Sequence, residues 1–298
     1  SGVYVHPNEF LDAKLNIAER EGLIDKALDS IRDCGFTTVI PYATTTSGKA
    51  YWSCKDMEMG SQDGWDVLGV IAQKARQRGL RIMPAVCVLA AGHDKPSGIL
   101  VSHPDWALRD RDGNPLGWLS PSNEEVRAFL LQVVAHLVDH IKPDGIMLDY
   151  MRYPSQRNIQ LDPDSSIEFD SAAPAGESEA QRGKRMQAYK EASLSKLMGI
   201  IAGFLRSNFP GMKIGLYSWG PHVPFNHAVA QPWPNWVRDG YLDVLNISGY
   251  CYTDNYGDQY LQEFEKRLQD SAELVQKSSG KVELTFALGV KTSHGSIK

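Results

Sequence analysis

The sequence predicts an α/β fold, a (β/α)8 barrel of the TIM type, and three observations carry that reading. Segments that are apolar on both faces alternate with amphipathic helical segments along the chain. Strands of that kind belong to parallel sheets covered by helices. The length, 298 residues, suits one barrel domain over 1–298. No glycine-rich phosphate loop follows any strand, which ranks a doubly wound open sheet behind the barrel.

The elements follow in order. "GVYVH" (2–6) reads as the first strand, and "LIDKALDSIRDCG" (23–35) has helical spacing with a terminal glycine. "TTVIPYA" (37–43) is rich in β-branched residues and reads as the second strand. "WDVLGVIAQKARQRG" (65–79) is an amphipathic helix, and "LRIMPAVCV" (80–88) is an unbroken apolar third strand. Ser122 and Glu125 match an S-x-x-E capping box. After it, Val126, Phe129, Leu130, Val133, Val134, Leu137 and Val138 trace one helical face. "GIMLD" (145–149) is the fourth strand. Then come a helix near 184–208, the fifth strand "KIGLYSW" (213–219), a short helix near 233–239 and the sixth strand "LDVLNISGY" (242–250). A helix near 259–277 and the seventh strand "VELTFALGV" (282–290) complete the pattern. Seven strands are recognised where a full barrel needs eight. The expectation is a barrel open beside the first strand, or closed there by something outside this pattern.

Composition excludes some classes. Hydrophobic residues make up 42% and charged residues 22% of the chain, an ordinary globular balance. The net charge is -5 with no basic tract, so a nucleic-acid partner is not expected. No apolar run approaches the roughly 20 residues of a membrane span. The opening "SGVYVHP" reads as a strand rather than a leader. Cys34, Cys54, Cys87 and Cys251 are scattered without a CxxC and read as small buried hydrophobes, neither a disulfide framework nor a zinc pattern. The oligomeric state is not read.

In a barrel of this type the active site lies at the C-terminal ends of the strands. Asp149 is the last residue of the fourth strand and shares a face with Gly145 and Met147. A carboxylate buried there is costly unless paired or functional. On spacing alone, a pair with Arg152 that closes the loop weighs equally with catalysis. The same rim collects His6, Asn8 and Glu9 after the first strand, Tyr42, Tyr51 and Trp52 after the second, Tyr217, Trp219 and His222 at the fifth, and Tyr250, Tyr252 and Asp254 at the sixth. Aromatic rings with carboxylates between them suit a sugar, because rings stack on its apolar faces and polar groups bind its hydroxyls. The stretch 155–183 reads as a long acidic loop, equally a lid over Asp149 or a floppy insertion. "NIS" (246–248) falls inside a buried strand and reads as a chance glycosylation match; "GHD" (92–94) and the scattered histidines lack metal-ligand spacing; no GxSxG elbow is present.

At "DGIMLDYMRYP" (144–154) the chain resembles glycosyl-hydrolase-like family 10 proteins. "GVYV", "RGLRIMPAV", "DRDGNPLGWLSPSNEEVRAFLLQVVAHLV" and "YLDVLNISGY" are similar to other elements of that family, over roughly 2–290. The resemblance implies a barrel acting on glycosidic bonds, distantly related to α-amylase-like enzymes, with some relatives processing cell-wall or amino-sugar glycans. It implies a catalytic role for Asp149 and favours a secreted, periplasmic or cell-surface setting. Many family members carry a second acid directly after this aspartate, where this chain has Tyr150.

The resulting expectation is glycoside hydrolysis by two carboxyl groups on an oligosaccharide or polysaccharide, with no cofactor and no metal. Asp149 is nucleophile or stabilising base, held ionised by Arg152. Glu9 or Asp254 is the acid, and a substrate-assisted route stays open. His6, Tyr42, Trp52, Arg152, Tyr217, Trp219, His222 and Tyr250 are the expected substrate contacts. The rival expectations are a carbohydrate-binding barrel without catalysis and, more remotely, a metal-dependent deacetylase built on His6, His222 and Asp149.

Overall fold

The computed structural model describes residues 1–156 and 158–297. Its centre is a run of parallel strands in sequence order, the arrangement of a TIM-type barrel. Gly2–Val5 pairs with Thr38–Pro41, which pairs with Arg81–Ile82. The third strand is interrupted at Met83 and Pro84 and resumes as Ala85–Cys87, which pairs with Gly145–Asp149. Proline has no N–H to give to the ladder; the Pro84 carbonyl instead accepts from the Met147 N–H at 2.9 Å. Lys213–Ser218, Val244–Ser248 and Glu283–Ala287 follow in parallel as fifth, sixth and seventh strands.

Alternation along the strands builds two apolar layers. Inside the barrel, Ile40, Met83, Ala85 and Met147 pack with Tyr4, Tyr42, Tyr217 and Val244. Outside it, Ile146, Leu148, Ile214 and Leu216 meet the helices. Gly215 is required by this interior: a Cβ there would stand 2.6 Å from the Met83 methyl and 2.8 Å from that of Met147. The Tyr4 hydroxyl donates to Asn246 Oδ1 at 3.0 Å, so side chains of the first and sixth strands meet across the interior of a rolled sheet. That bond also removes the "NIS" asparagine from solvent. Among the described residues, no strand pairs with the free edge of the first or of the seventh strand. A short hairpin, Lys291–Thr292 with Gly295–Ser296, follows the seventh strand.

Several helices begin earlier than periodicity suggests, because polar caps precede the apolar stripe. Ile17–Asp33 starts at a capping box in which Asn16 and Glu19 satisfy each other's backbone N–H. Glu179–Asn208 starts at a similar box between Ser178 and Gln181. The expected Ser122–Glu125 box is not formed. Asn123 caps Glu124–Ile141 by accepting from the Val126 N–H, and Glu125 instead accepts from the Trp106 indole at 2.7 Å. The seven apolar residues predicted on this helix are all buried, each contributing about 1.5–3 kcal/mol.

Two segments depart from the sequence reading. The stretch read as one long loop contains the helix Pro163–Ser171, capped by Asp162. Between the third and fourth strands stands an antiparallel arm of Ala90–His93, Pro115–Leu119 and Ala107–Arg109. Its strands are short, bulged and carry glycine and histidine, so they lack the β-branched runs by which a strand is recognised. No described helix is long and apolar enough to cross a membrane. All four cysteines are free, and Cys34 is exposed.

Candidate active site

Asp149 ends the fourth strand and faces the mouth of the barrel interior, 7% exposed. Both oxygens are held: Oδ2 accepts from the Tyr42 hydroxyl at 2.9 Å, and Oδ1 from the Tyr150 N–H at 2.7 Å. Tyr150 takes φ 51°, a left-handed conformation that costs a non-glycine residue about 1–2 kcal/mol. This turn ends the strand and aims the Tyr150 amide back at the carboxylate. The pKa of Asp149 is raised, because burial outweighs the two hydrogen bonds and the Arg152 charge that oppose it.

A group of phenols surrounds this carboxylate. Tyr4, Tyr42, Tyr217 and Tyr250 come from the first, second, fifth and sixth strands or the residues just after them. Burial raises the pKa of each, and the Asp149 charge pushes each further in the same direction. Tyr150 is pushed up to about 12, again first by burial and then by Asp149. Neutral phenols at these positions can donate to an anion or to a sugar oxygen.

Arg152 does not pair directly with Asp149, which corrects the expected ion pair. Its guanidinium lies 4.2 Å from the centre of the Trp219 ring, 5.0 Å from Trp118 and 5.1 Å from Tyr150, and its Nη1 donates to the Tyr153 carbonyl at 3.1 Å. The three aromatic faces compensate part of its lost hydration. It acts on Asp149 through its field, and that field is too weak to reverse the effect of burial.

The other predicted residues are placed as follows. His6 is exposed and stacks on Tyr42 at 4.8 Å, at the outer edge of the site. Tyr250 stacks on Tyr252 and His294 at 5.9 and 6.1 Å, forming an aromatic wall. His222 faces His227, with ring centres 5.5 Å apart. Its pKa is lowered by burial, then by His227 and Arg267. Trp52 is fully buried in the outer core and presents no ring face to a ligand; beyond Tyr42 the chain folds back on itself, Thr44 bridging Ala50 and the Tyr51 N–H donating to Ala43, and this carries Trp52 away from the rim. Glu9 lies on an exposed 3-10 turn, Pro7–Phe10. Asp254 Oδ2 accepts from the Ser296 N–H and hydroxyl at 2.9 and 2.7 Å. Neither acid is among the groups that shift Asp149. His6, His222 and Asp149 do not form a metal-ligand set among the described residues.

Sequence reasoning missed Trp118, His93 and Tyr4. Trp118 and His93 arrive on the antiparallel arm, and His93 meets the edges of both Trp118 and Tyr150 at 5.5 and 5.6 Å. The "LGWL" segment was the available signal, but it had no place in a simple βα alternation. Tyr4 was legible as an interior position from its alternation with Val3 and Val5.

Residues 11–283 match the model of a family described as glycosyl hydrolase-like 10. The glycosyl hydrolase DigH of Escherichia coli (strain K12) is 21% identical over 265 residues, covering 76% of this chain and 57% of that protein. The chain therefore spans little more than half the length of that curated relative. The glycoside hydrolase domain of PgaB (BpsB) from Bordetella bronchiseptica superposes with a TM-score of 0.66 at 12% identity, over 96% of this chain and 93% of the domain. The α-galactosidase TtGalA from Thermus thermophilus gives a TM-score of 0.52 at 16% identity, over 92% of this chain and 49% of its own. At these identities the structural likeness concerns the barrel fold alone.

Proposed function

The chain belongs to the glycosyl hydrolase-like 10 family, and from that premise we propose that it hydrolyses a glycosidic bond in a polysaccharide, with an amino-sugar or cell-wall glycan as the preferred class. The observation that carries this reading is Asp149. It is a carboxylate enclosed at the C-terminal rim of the barrel, with a hydrogen-bond donor on each oxygen and the phenols of Tyr42, Tyr150, Tyr217 and Tyr250 within reach of its charge. Donors on both oxygens favour the ionised form, and burial makes that form more basic. Asp149 then serves as nucleophile or stabilising base at the sugar carbon. Tyr217, Tyr250 and Trp219 contact the ring, and Arg152 holds the aromatic platform in place. The acid comes from the loops that carry Glu9 and Asp254.

A second reading, a barrel that binds glycans without cleaving them, is favoured by one observation: Asp149 is followed by Tyr150 where many family members carry a second acid, while Glu9 is exposed and Asp254 is held by Ser296. Incubation with N-acetylated amino-sugar oligomers separates the two. Hydrolysis is read as new reducing ends and should vanish in Asp149→Asn. Retention on an immobilised glycan with no new reducing ends from any oligomer tested would establish the binding reading instead.

A further inference from the structure

Outside the Asp149 site, three potential metal ligands from two distant segments meet between a loop and a helix. Cys54 and Asp56 lie in the loop after the second strand, and His136 lies midway along the helix Glu124–Ile141. One ligand atom from each, Sγ, Oδ2 and Nδ1, fall within 4.8 Å of one another. Sγ is 4.0 Å from Nδ1, and Nδ1 is 3.2 Å from Oδ2. We propose that these three residues bind a zinc-class divalent cation that fastens the loop to the helix. The proposal is independent of the function proposed for Asp149.

Three arguments lead to a cation. The first is unmet polarity. A single ring nitrogen faces both the thiol and the carboxylate, and it can donate one proton to only one of them. Asp56 Oδ2 is enclosed and, beyond its 3.2 Å contact with Nδ1, makes no hydrogen bond. A cation at the common point satisfies all three atoms together. The second is donor chemistry. Thiolate, imidazole and carboxylate together suit zinc or cobalt, whereas magnesium and calcium take oxygen donors. The third is distance. Tetrahedral zinc with bonds of about 2.0–2.3 Å sets its ligand atoms about 3.3–3.6 Å apart. The Nδ1 to Oδ2 distance of 3.2 Å is already close to this, whereas Sγ stands 4.0 Å from Nδ1 and within 4.8 Å of the carboxylate, so the thiol must move inward when a cation binds.

A cation would replace the Cys54 thiol proton, which leaves to the buffer as the metal–sulfur bond forms. His136 and Asp56 keep side-chain exposures of 36% and 26%, so the cluster lies close to solvent, and a water molecule would complete the coordination of a bound zinc. Cys54 itself is packed in the core. The cation would thus cross-link this loop to the helix, which the segment already meets farther along through Asp66 and His140.

The test uses the full chain, stripped with chelator and then given zinc or cobalt chloride. One zinc should remain per chain after gel filtration, the melting temperature should rise on zinc addition, and the cobalt form should show a thiolate charge-transfer absorption. Calorimetry in buffers of different ionisation enthalpy should detect the released proton. Cys54→Ser should abolish the charge-transfer band. Asp56→Asn and His136→Gln should weaken zinc by more than the about 10–100-fold typical of losing an outer-shell partner. Asp56→Asn, about a quarter exposed, serves should Cys54→Ser not fold. Exposed Cys34 is replaced by serine in every sample, so that any thiolate signal comes from a buried cysteine. The proposal is overturned if the parent retains no zinc, or if zinc binding is unchanged in Asp56→Asn and His136→Gln.

Discussion

The hydroxyl of Tyr42 donates to Asp149 across 2.9 Å, although the two residues are 107 positions apart in the chain. They sit on the second strand's extension and on the fourth strand, with the resumed third strand between them: Tyr42 bridges to Ala85, and Asp149 is the strand partner of Cys87. The interrupted third strand thus sets the distance between donor and carboxylate.

Replacing Tyr42 by phenylalanine removes this donor and keeps the ring. The Asp149 carboxylate loses a hydrogen bond that favours its charged form, so its already raised pKa climbs further. The acid limb of the pH–kcat profile should move to higher pH, by up to about one unit. An unshifted limb would separate Tyr42 from the catalytic carboxylate.

Asp149→Asn should reduce kcat by about a thousandfold or more. The amide oxygen can still accept from the Tyr150 N–H, while the Tyr42 hydroxyl can rotate to accept from the new NH2 group. The fold is therefore expected to persist. Folding raises the Asp149 pKa, so the stability linked to this group is fully present below the ordinary aspartate value of about 3.9 and is lost as pH rises through the folded value. The variant escapes that loss. At pH 7 its melting temperature should equal or exceed that of the parent, and the difference should shrink as the pH is lowered through the ordinary carboxylate range. A destabilised but fully active variant would sink the catalytic assignment.

Arg152→Lys keeps the charge and loses the plane. Lysine cannot lie flat between Trp118, Tyr150 and Trp219, so the variant should unfold at lower urea, with a loss of about 1–2 kcal/mol. KM should rise more than kcat falls, because the platform is disturbed while the charge near Asp149 remains.

The acid is identified by leaving group. Glu9→Gln and Asp254→Asn should be compared on a natural oligosaccharide and on an aryl glycoside whose leaving group needs no protonation. Loss of the first activity with the second spared marks the general acid. If both variants behave as the parent on both substrates, the proton comes from elsewhere.

The sequence by itself determined the barrel class, the seven strand positions, the buried helix faces and the placement of Asp149 on the rim. These are local properties: periodicity over a few residues decides which face is buried, and a strand's last residue lies on the rim wherever the strand goes. Caps were less legible, because Ser122, Asn123, Glu124 and Glu125 offer competing matches, and the Trp106 indole decided Glu125's role. Tertiary structure alone decided that Trp52 turns into the core, that Arg152 lies among aromatic rings instead of on Asp149, and that Trp118 and His93 join the site. It also brought Cys54 within 4.0 Å of His136, 82 residues away. The reason is the same in each case. Which distant groups meet depends on how the sheet rolls and where the loops cross it, and that balance is struck by packing over the whole chain.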